Sequence, residues 1–362
     1  MAKKLNIAHR ILVTITILVA LLAFAGGLAK YISPRVSVIF PFAALPMLSS
    51  MTLNLLLLIY WSIRRKYWAL LPLGVILFNF SYIGGVVQLR FSKPDLLPGH
   101  KSFKIATYNV KEFGREDQAA ASWQIAEFMN REQVDVICFQ EYQDYEHFNM
   151  DSMKMSFRNW PYNAILADTL DLLRLAVFSK FPVEKGELIK YKDSGNCMMW
   201  CDVVVNNTRL RVFNVHLQTT GLSWKRREIE QEFQSELSTM EKKKKVFKET
   251  FDLLVDGIHK RIVQADNLHR LVEESPYPVL VCGDLNSPPS VYTYFKINEG
   301  LKDGFRTAGY GYAYTFRFYK HMLRLDYIFH SESLQGIDYY SPELDVCSDH
   351  NPVIMQLGVP QQ

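Results

Sequence analysis

The chain changes its rule of hydrophobic patterning near residue 90. Before that point apolar positions run on without a period. Ile11–Ala29 is an uncharged stretch of 19 residues, Val36–Ile63 is longer and interrupted by Pro41 and Pro46, and Tyr67–Leu89 forms a third run. A helix needs about 20 apolar residues to cross a hydrocarbon core, and each run is that long. The pattern predicts a transmembrane region over residues 1–92, with three helices at about 11–29, 36–63 and 67–89; two spans are the rival count. The length of the first run, its Gly26-Gly27 pair and the two runs behind it argue against a cleaved signal peptide. Tyr60, Trp61, Tyr67 and Trp68 bracket the loop between the second and third runs as an interfacial aromatic belt does.

After a linker at 93–102 that contains Pro94 and Pro98, apolar residues come in short bursts. Phe103–Val110, Val134–Phe139, Leu175–Ser179, Trp200–Val205, Arg209–His216, Val279–Cys282, Asp326–His330 and Val353–Leu357 read as strands. Gln118–Asn130 carries apolar residues at helical spacing (Ile125, Phe128, Met129). The stretch from Trp224 to Glu274 is helix-rich, with a stripe at Ile258, Ile262, Ala265 and Leu268. Only Asn206-Asn207-Thr208 separates two of the strands, which predicts a hairpin. Hairpins mixed with helices imply antiparallel-rich sheets covered by helices, not a doubly wound parallel sheet. No internal repeat is visible.

Charge sharpens the division. Residues 1–92 hold nine basic residues and no Asp or Glu, which leaves 32 basic against 37 acidic residues in the remainder. The net charge of +4 therefore belongs to the N-terminal region and is no nucleic-acid signature. Lys3, Lys4, Arg10 and the cluster Arg64-Arg65-Lys66 favour a cytoplasmic N-terminus and second loop, which puts the C-terminal domain on the non-cytoplasmic side. Lys30, Arg35, Arg90, Lys93, Lys101 and Lys104 oppose this in equal number, but the two tight clusters agree with each other. All five cysteines lie in the acidic part. Cys138 and Cys282 sit in apolar runs as small hydrophobes, Cys197 and Cys201 are near enough in sequence to bridge, and no Cys/His spacing suggests zinc.

Most of the candidate chemistry sits where the apolar runs end. In chain order these are Asn109, Glu141, His216, Asp284 with Asn286, Asp326, and Asp349 with His350. A phosphate ester is guarded by its own negative charge and a poor leaving group. A divalent cation polarises the phosphoryl oxygen and stabilises the departing alkoxide. Magnesium asks for few protein oxygens, and Glu141 and Asn109 suit it. Asp284 can orient or deprotonate a water. Asn286, two residues on along an extended segment, would face the same phosphate, and Gly283 permits close backbone approach. His350 needs a carboxylate to orient it, for which Asp326 is the candidate. His216 can donate to a phosphoryl oxygen or to the leaving group.

From Phe103 to Leu357 this ordered set resembles the endonuclease/exonuclease/phosphatase superfamily, which includes deoxyribonucleases, abasic-site endonucleases, sphingomyelinases and inositol polyphosphate 5-phosphatases. The resemblance implies an α/β fold, a four-layer α/β sandwich with two mixed β-sheets, here occupying 103–362 behind an α-helical transmembrane region. It implies a magnesium-dependent (alternatively manganese-dependent) phosphodiester hydrolase. Asn109, Glu141 and Asp349 lie at the metal end. Asp284 and Asn286 are the water- and phosphate-handling pair, His350 with Asp326 stands at the scissile phosphate, and His216 is the second histidine. Arg174-Leu175 departs from the small and polar residues of the resembling strand, a difference that touches substrate contacts. The implied partners are a phosphoester substrate, nucleic acid or phospholipid headgroup, and the membrane in which the chain is embedded. A phosphomonoesterase and a non-catalytic membrane receptor are the alternative readings. The net acidic domain weakens the nucleic-acid option. Lys242–Lys245 with Lys248 reads first as a solvated helix face, and the aromatic series Tyr310, Tyr312, Tyr314, Phe316, Phe318 and Tyr319 reads first as packing.

Overall fold

A computed structural model describes residues 7–114, 117–143, 149–166, 174–221, 229, 239–318 and 321–361. Its N-terminal unit contains α1 (Ile7–Leu28), α2 (Ile39–Ala44), α3 (Met47–Ile63), α4 (Leu70–Phe78) and α5 (Phe80–Val86). Among the described residues, α1 is the one unbroken helix long and apolar enough to cross a membrane. The continuous second and third helices expected from the sequence are each broken. The second divides around Leu45-Pro46 into α2 and the 17-residue α3, since proline cannot supply the helical N–H. The third bends by 62° between α4 and α5, at Asn79, whose side chain donates to the Ala23 carbonyl of α1 at 3.2 Å and to Val75 O at 3.0 Å. The helices pack antiparallel. Trp61 at the end of α3 donates to Thr16 Oγ1 at 2.9 Å and meets the His9 ring edge-on, while Gly26 at the other end of α1 abuts Ala43 and Met47.

The C-terminal unit follows β1 (Val87–Gln88). It comprises β2 (His100–Asn109), α6 (Gln118–Arg131), β3 (Val136–Gln140), α7 (Met150–Ser156), β4 (Tyr162–Leu166), β5 (Leu175–Ser179), β6 (Val183–Ile189), β7 (Met198–Val205), β8 (Thr208–His216), α8 (Met240–Glu273), β9 (Val279–Asp284), α9 (Tyr292–Asn298), β10 (Lys302–Asp303), α10 (Gly304–Ala308), β11 (Gly311–Tyr312), β12 (Asp326–His330), β13 (Gln335–Tyr340) and β14 (Val353–Pro360). Two six-stranded sheets, ordered β13-β14-β2-β3-β5-β4 and β10-β12-β9-β8-β7-β6, are both mixed, because β2 with β3 and β8 with β9 run parallel among antiparallel pairs. Ile105, Val177, Cys201, Val212, Leu280 and Met355 belong to the core between the sheets. Ile125, Met129, Phe139 and Phe178 belong to the layer under α6 and α7, and Phe213, Leu268, Tyr294 and Phe329 to the layer under α8 and α9. The four-layer α/β sandwich is thus present.

Local chemistry fixes the element ends. Asp117 caps α6 by accepting from Ala120 N, and Thr239 caps α8 by accepting from Lys242 N. Asn206 and Asn207, at φ 51° and 71°, close the β7–β8 hairpin with Val205 opposite Thr208. Strands β4, β6, β10 and β13, absent from the sequence reading, are all edge strands. β2 starts at His100, inside the expected 93–102 linker, because His100–Ser102 pair with Gly358–Pro360. Residues 224–238 of the expected helix-rich stretch, Ile229 apart, and Tyr319 lie outside the described residues. Cys197 and Cys201 are buried and not bridged to each other.

The two units touch along the segment that follows the candidate site. Ser290 Oγ donates to Ala44 O at 3.1 Å, Val291 packs with Ala29 and Ala44, β1 pairs with β11, and Arg324 Nη1 donates to Gly85 O at 3.0 Å.

Candidate active site

Strand register gathers the polar side chains at one end of the sandwich. In the second sheet β9 lies between β8 and β12, and the pairing sets Asp284 opposite His216 on one side and opposite Asp326 on the other. In the first sheet β2 and β3 run parallel with Asn109 opposite Gln140, and Glu141 follows at φ 53°. His350 stands three residues before Val353, which pairs with Thr107 on β2. Two β-sheets thereby contribute to one cluster.

The distances show which expected residues meet. Asn109 Nδ2 donates to Glu141 Oε1 at 3.1 Å and to Asp284 Oδ2 at 3.2 Å. His216 Nε2 lies 3.6 Å from Glu141 Oε1 and 3.8 Å from Asp284 Oδ2. His350 Nδ1 is bonded to Asp326 Oδ2 at 2.8 Å, and its Nε2 faces Asp284 Oδ2 at 3.7 Å. Asp284, Asp326 and His350 each present one donor atom within 4.8 Å of the others. Asp349 stands at the rim, its carboxylate 3.0 Å from Lys111 Nζ. Asn286 departs from the extended geometry expected of it. It lies past the strand end at φ 47°, where its N–H donates to Asp284 Oδ1 at 2.7 Å and its Nδ2 to Leu217 O at 3.0 Å. It therefore fixes Asp284 through a turn, not through strand alternation. Gly283 is required as expected: at φ 145° a Cβ would fall 1.9 Å from Val215 O.

Burial and mutual charge separate the protonation states. Burial lowers His216 to about 4, against the nearby Asp284 carboxylate, so its imidazole is neutral at pH 7. Burial also acts to lower His350, but the Asp326 and Asp284 carboxylates outweigh it and hold the group at about 10. Burial raises Asp284 to about 6, opposed by His350. It raises Glu141 as well, against the Asn109 bond and His350, with Asp349 and Glu112 adding to the rise. One buried imidazolium, one neutral imidazole and several crowded carboxylates thus share one end of the fold. The donors around Glu141 are hard oxygens in excess negative charge. A divalent cation neutralises such a set, and its oxygen chemistry suits magnesium or manganese.

Several supporting residues escaped the sequence reading. Thr315 Oγ1 accepts from Leu325 N at 2.9 Å and from Asp326 N at 3.0 Å, and the Thr315 carbonyl accepts from Asn351 N, so one residue holds both Asp326 and the segment of His350. Ser348 Oγ donates to Asn109 O at 2.6 Å and accepts from His350 N at 3.0 Å. Beneath the cluster Gln140 Nε2 donates to Asn214 Oδ1 at 2.6 Å, and Asn214 Nδ2 donates to Phe139 O and Ala176 O, which stitches the two sheets together. A polar amide inside an otherwise apolar strand was the available signal for Gln140 and Asn214. Thr315 and Ser348 lie in irregular segments and offered none.

Comparison with known proteins agrees with this architecture. TDP2 from C. elegans has a TM-score of 0.50 at 16% identity, over 73% of this chain and 76% of that one. A humanized D. rerio TDP2 carrying 14 mutations gives 0.50 at 14% identity, over 71% and 98%. An endonuclease/exonuclease/phosphatase from Beutenbergia cavernae DSM 12333 gives 0.50 at 15% identity, over 72% and 72%. At such identities the likeness establishes the fold. No curated protein matches the chain. Residues 9–86 match a model described as a domain of unknown function (DUF8431). Residues 106–350, which carry every side chain of the cluster, match the model of the Endonuclease/Exonuclease/phosphatase family, and the chain belongs to that family.

Proposed function

We propose that the chain is a membrane-tethered, divalent-metal-dependent phosphodiester hydrolase. The observation that carries the reading is the His350–Asp326 bond of 2.8 Å, with the remaining ring nitrogen turned toward Asp284 at 3.7 Å. That bond commits Nδ1 and one Asp326 oxygen, so the pair reads as an oriented acid and not as a cage for a cation. Asp326 fixes the ring and sustains its positive charge. Nε2–H is then free to donate to a phosphoryl oxygen, where negative charge grows in the transition state. Asp284, held by Asn286 N–H and Asn109 Nδ2, accepts the proton of the attacking water. Neutral His216 donates from the opposite side. Glu141, with Asn109 and Asp349, is the proposed metal end, and a bound magnesium or manganese ion supplies Lewis-acid polarisation of the phosphoryl group.

The tether rests on the N-terminal unit, whose outer faces carry exposed Ile11, Ile15, Leu18 and Leu21 on α1 and Leu53, Leu56 and Ile59 on α3. Such faces suit lipid. We read 1–92 as the membrane region and the chain from the start of β2 at His100 as the catalytic domain, with the residues between them as the linker. His9 and Trp61 share the end of this unit remote from the catalytic domain, which puts Arg10 and Arg64-Arg65-Lys66 there together. Of the opposing cations, Arg35 is paired with Asp266 of α8 at 2.8 Å and Lys30 donates to Ser81 Oγ at 3.0 Å. The free basic charge at the remote end supports a catalytic domain on the non-cytoplasmic side.

The test is release from an aryl phosphodiester and from the matching monoester by full-length protein in detergent, with magnesium or with chelator, beside His350→Ala. Magnesium-dependent diester cleavage lost in the variant is the expected result. Cleavage of the monoester alone would replace the reading with a phosphomonoesterase. No cleavage of either, nor of a panel of nucleic acids and phospholipids, would favour the receptor.

A further inference from the structure

Helix α8 is longer than the sheet it covers. Its C-terminal half lies over the second sheet through Ile262, Ala265 and Leu268, which are fully buried. Gly257 sits against Thr219 and Thr220, just past the strand that ends in His216, so the helix reaches the active-site end of the sandwich at about that position. Residues 240–256 come before it and run on for about 25 Å at 1.5 Å per residue.

This overhang has a composition unlike the rest of the domain. Lys242, Lys243, Lys244, Lys245 and Lys248 fall within seven positions and face only Glu241 and Glu249 in the same stretch. None of the five lysines has an ion pair among the described residues. Between them stand large apolar side chains turned to solvent: Met240 at 69%, Phe247 at 66% and Phe251 at 40% exposure. Lysines with aromatic residues among them on one helix are the composition of an element that lies in a membrane interface.

Position supplies the occupant. Phe251 stacks on Phe42 of α2, with ring centroids 4.9 Å apart and planes within 12°. Helix α2 belongs to the end of the N-terminal unit that meets the catalytic domain. Two and a half turns further along α8 from the Gly257 contact, on the half that covers the sheet, Arg35 pairs with Asp266. The overhang is thereby fixed beside the helices at the level where they would leave the bilayer. We propose that residues 240–251 of α8 lie on the anionic leaflet reached by the chain's own helices. The five lysines then bind phospholipid headgroups, and Met240 and Phe247 enter the headgroup–acyl boundary. The effect is to hold the active-site end of the sandwich against the bilayer surface. This rests on the membrane-tethered reading above.

Full-length protein in nanodiscs tests it, with phosphatidylcholine alone or in equal mixture with phosphatidylglycerol. Lysines are labelled with an amine-reactive reagent and read by mass spectrometry, with exposed Lys185 on the remote edge strand β6 as the internal control. The expected result is several-fold lower labelling of Lys242–Lys245 and Lys248 in the anionic discs, reversed by high salt, with Lys185 unchanged. Incorporation into the discs with equal labelling in both lipids would overturn the proposal and leave the tether standing. Failure to incorporate would overturn the tether and the proposal together. Protection by a single-stranded oligonucleotide in neutral discs, with none from anionic lipid, would overturn it in favour of nucleic acid.

Discussion

The helical unit and the sandwich dispose of polar groups in opposite ways. In the helices the polar atoms are few and internal, and their donors are bonded: Trp61 bonds Thr16, Asn54 bonds Ser50 O, and Asn79 bonds Ala23 O and Val75 O, with Asn54 Oδ1 the one buried side-chain atom there that lacks a partner among the described residues. Their outer surface is Leu and Ile. In the sandwich the outer surface is charged, and the polar groups at one end are crowded inward. Among them Asp326 Oδ1 is buried with no hydrogen-bond partner among the described residues. Buried polar groups are ordinarily paired, so the cluster is arranged for chemistry at the expense of local stability. The contrast teaches that the helices are specified by what surrounds them and the sandwich end by what enters it.

Substitutions that exchange these conditions sharpen the contrast, and the largest effect falls on the cluster. Asp326→Asn removes the charge that orients and sustains His350, and kcat should fall by on the order of 10²–10⁴-fold. The thermal midpoint should change little, which kinetics beside calorimetry will check. A large loss of stability with activity intact would assign Asp326 to structure.

Next comes the buried ion pair behind the cluster. Arg324 is fully buried and bonds Asp303 at 2.5 and 2.7 Å, as well as Gly85 O and Tyr339 OH. Arg324→Met strands the Asp303 carboxylate in the core and should cost about 3–5 kcal/mol in denaturant unfolding. A smaller effect belongs to the helices, where Asn79→Leu deletes two interhelical and bend-capping bonds. Double-mutant cycles on such bonds in membrane proteins average about 0.6 kcal/mol, so a loss near that size is expected in unfolding from mixed micelles.

The smallest effect is a pH slope. Burial lowers the His330 pKa, against its bond to the Ser331 carbonyl. The unfolded chain therefore binds more protons than the folded one between that lowered value and the ordinary histidine pKa of about 6.5. Stability from this group is complete above about 6.5 and is lost progressively as the pH falls from there through the lowered folded value. His330→Gln, which keeps a partner for Thr307, should flatten the acid limb of the melting temperature. An unchanged limb would assign the slope to other groups.

Much of this was legible in the chain. The strands that end in Asn109, His216 and Asp284, and the one that opens on Asp326, announced themselves because buried residues on both faces give continuous apolar runs bounded by a polar residue. The edge strands β4, β6 and β13 did not, because a half-exposed strand such as Val183–Ile189 carries Glu, Lys and Gly and reads as loop. Helix length was overestimated where Pro46 and Asn79 interrupt apolar runs whose composition stays uniform. Asn286 was found for a geometric reason that does not hold, since a positive φ is not written in an Asp-Leu-Asn triplet. The role of Thr315 depends on the meeting of segments 10 and 36 residues away, which no local pattern encodes.

The most direct test of the account is a magnesium titration of phosphodiester hydrolysis by full-length wild type, Glu141→Gln and His350→Gln. The account predicts that Glu141→Gln raises the magnesium concentration needed for half-maximal rate. His350→Gln should instead lower the maximal rate at an unchanged magnesium midpoint. Turnover that survives chelator, or that neither substitution reduces, would contradict the assignment of this cluster as a metal-dependent active site.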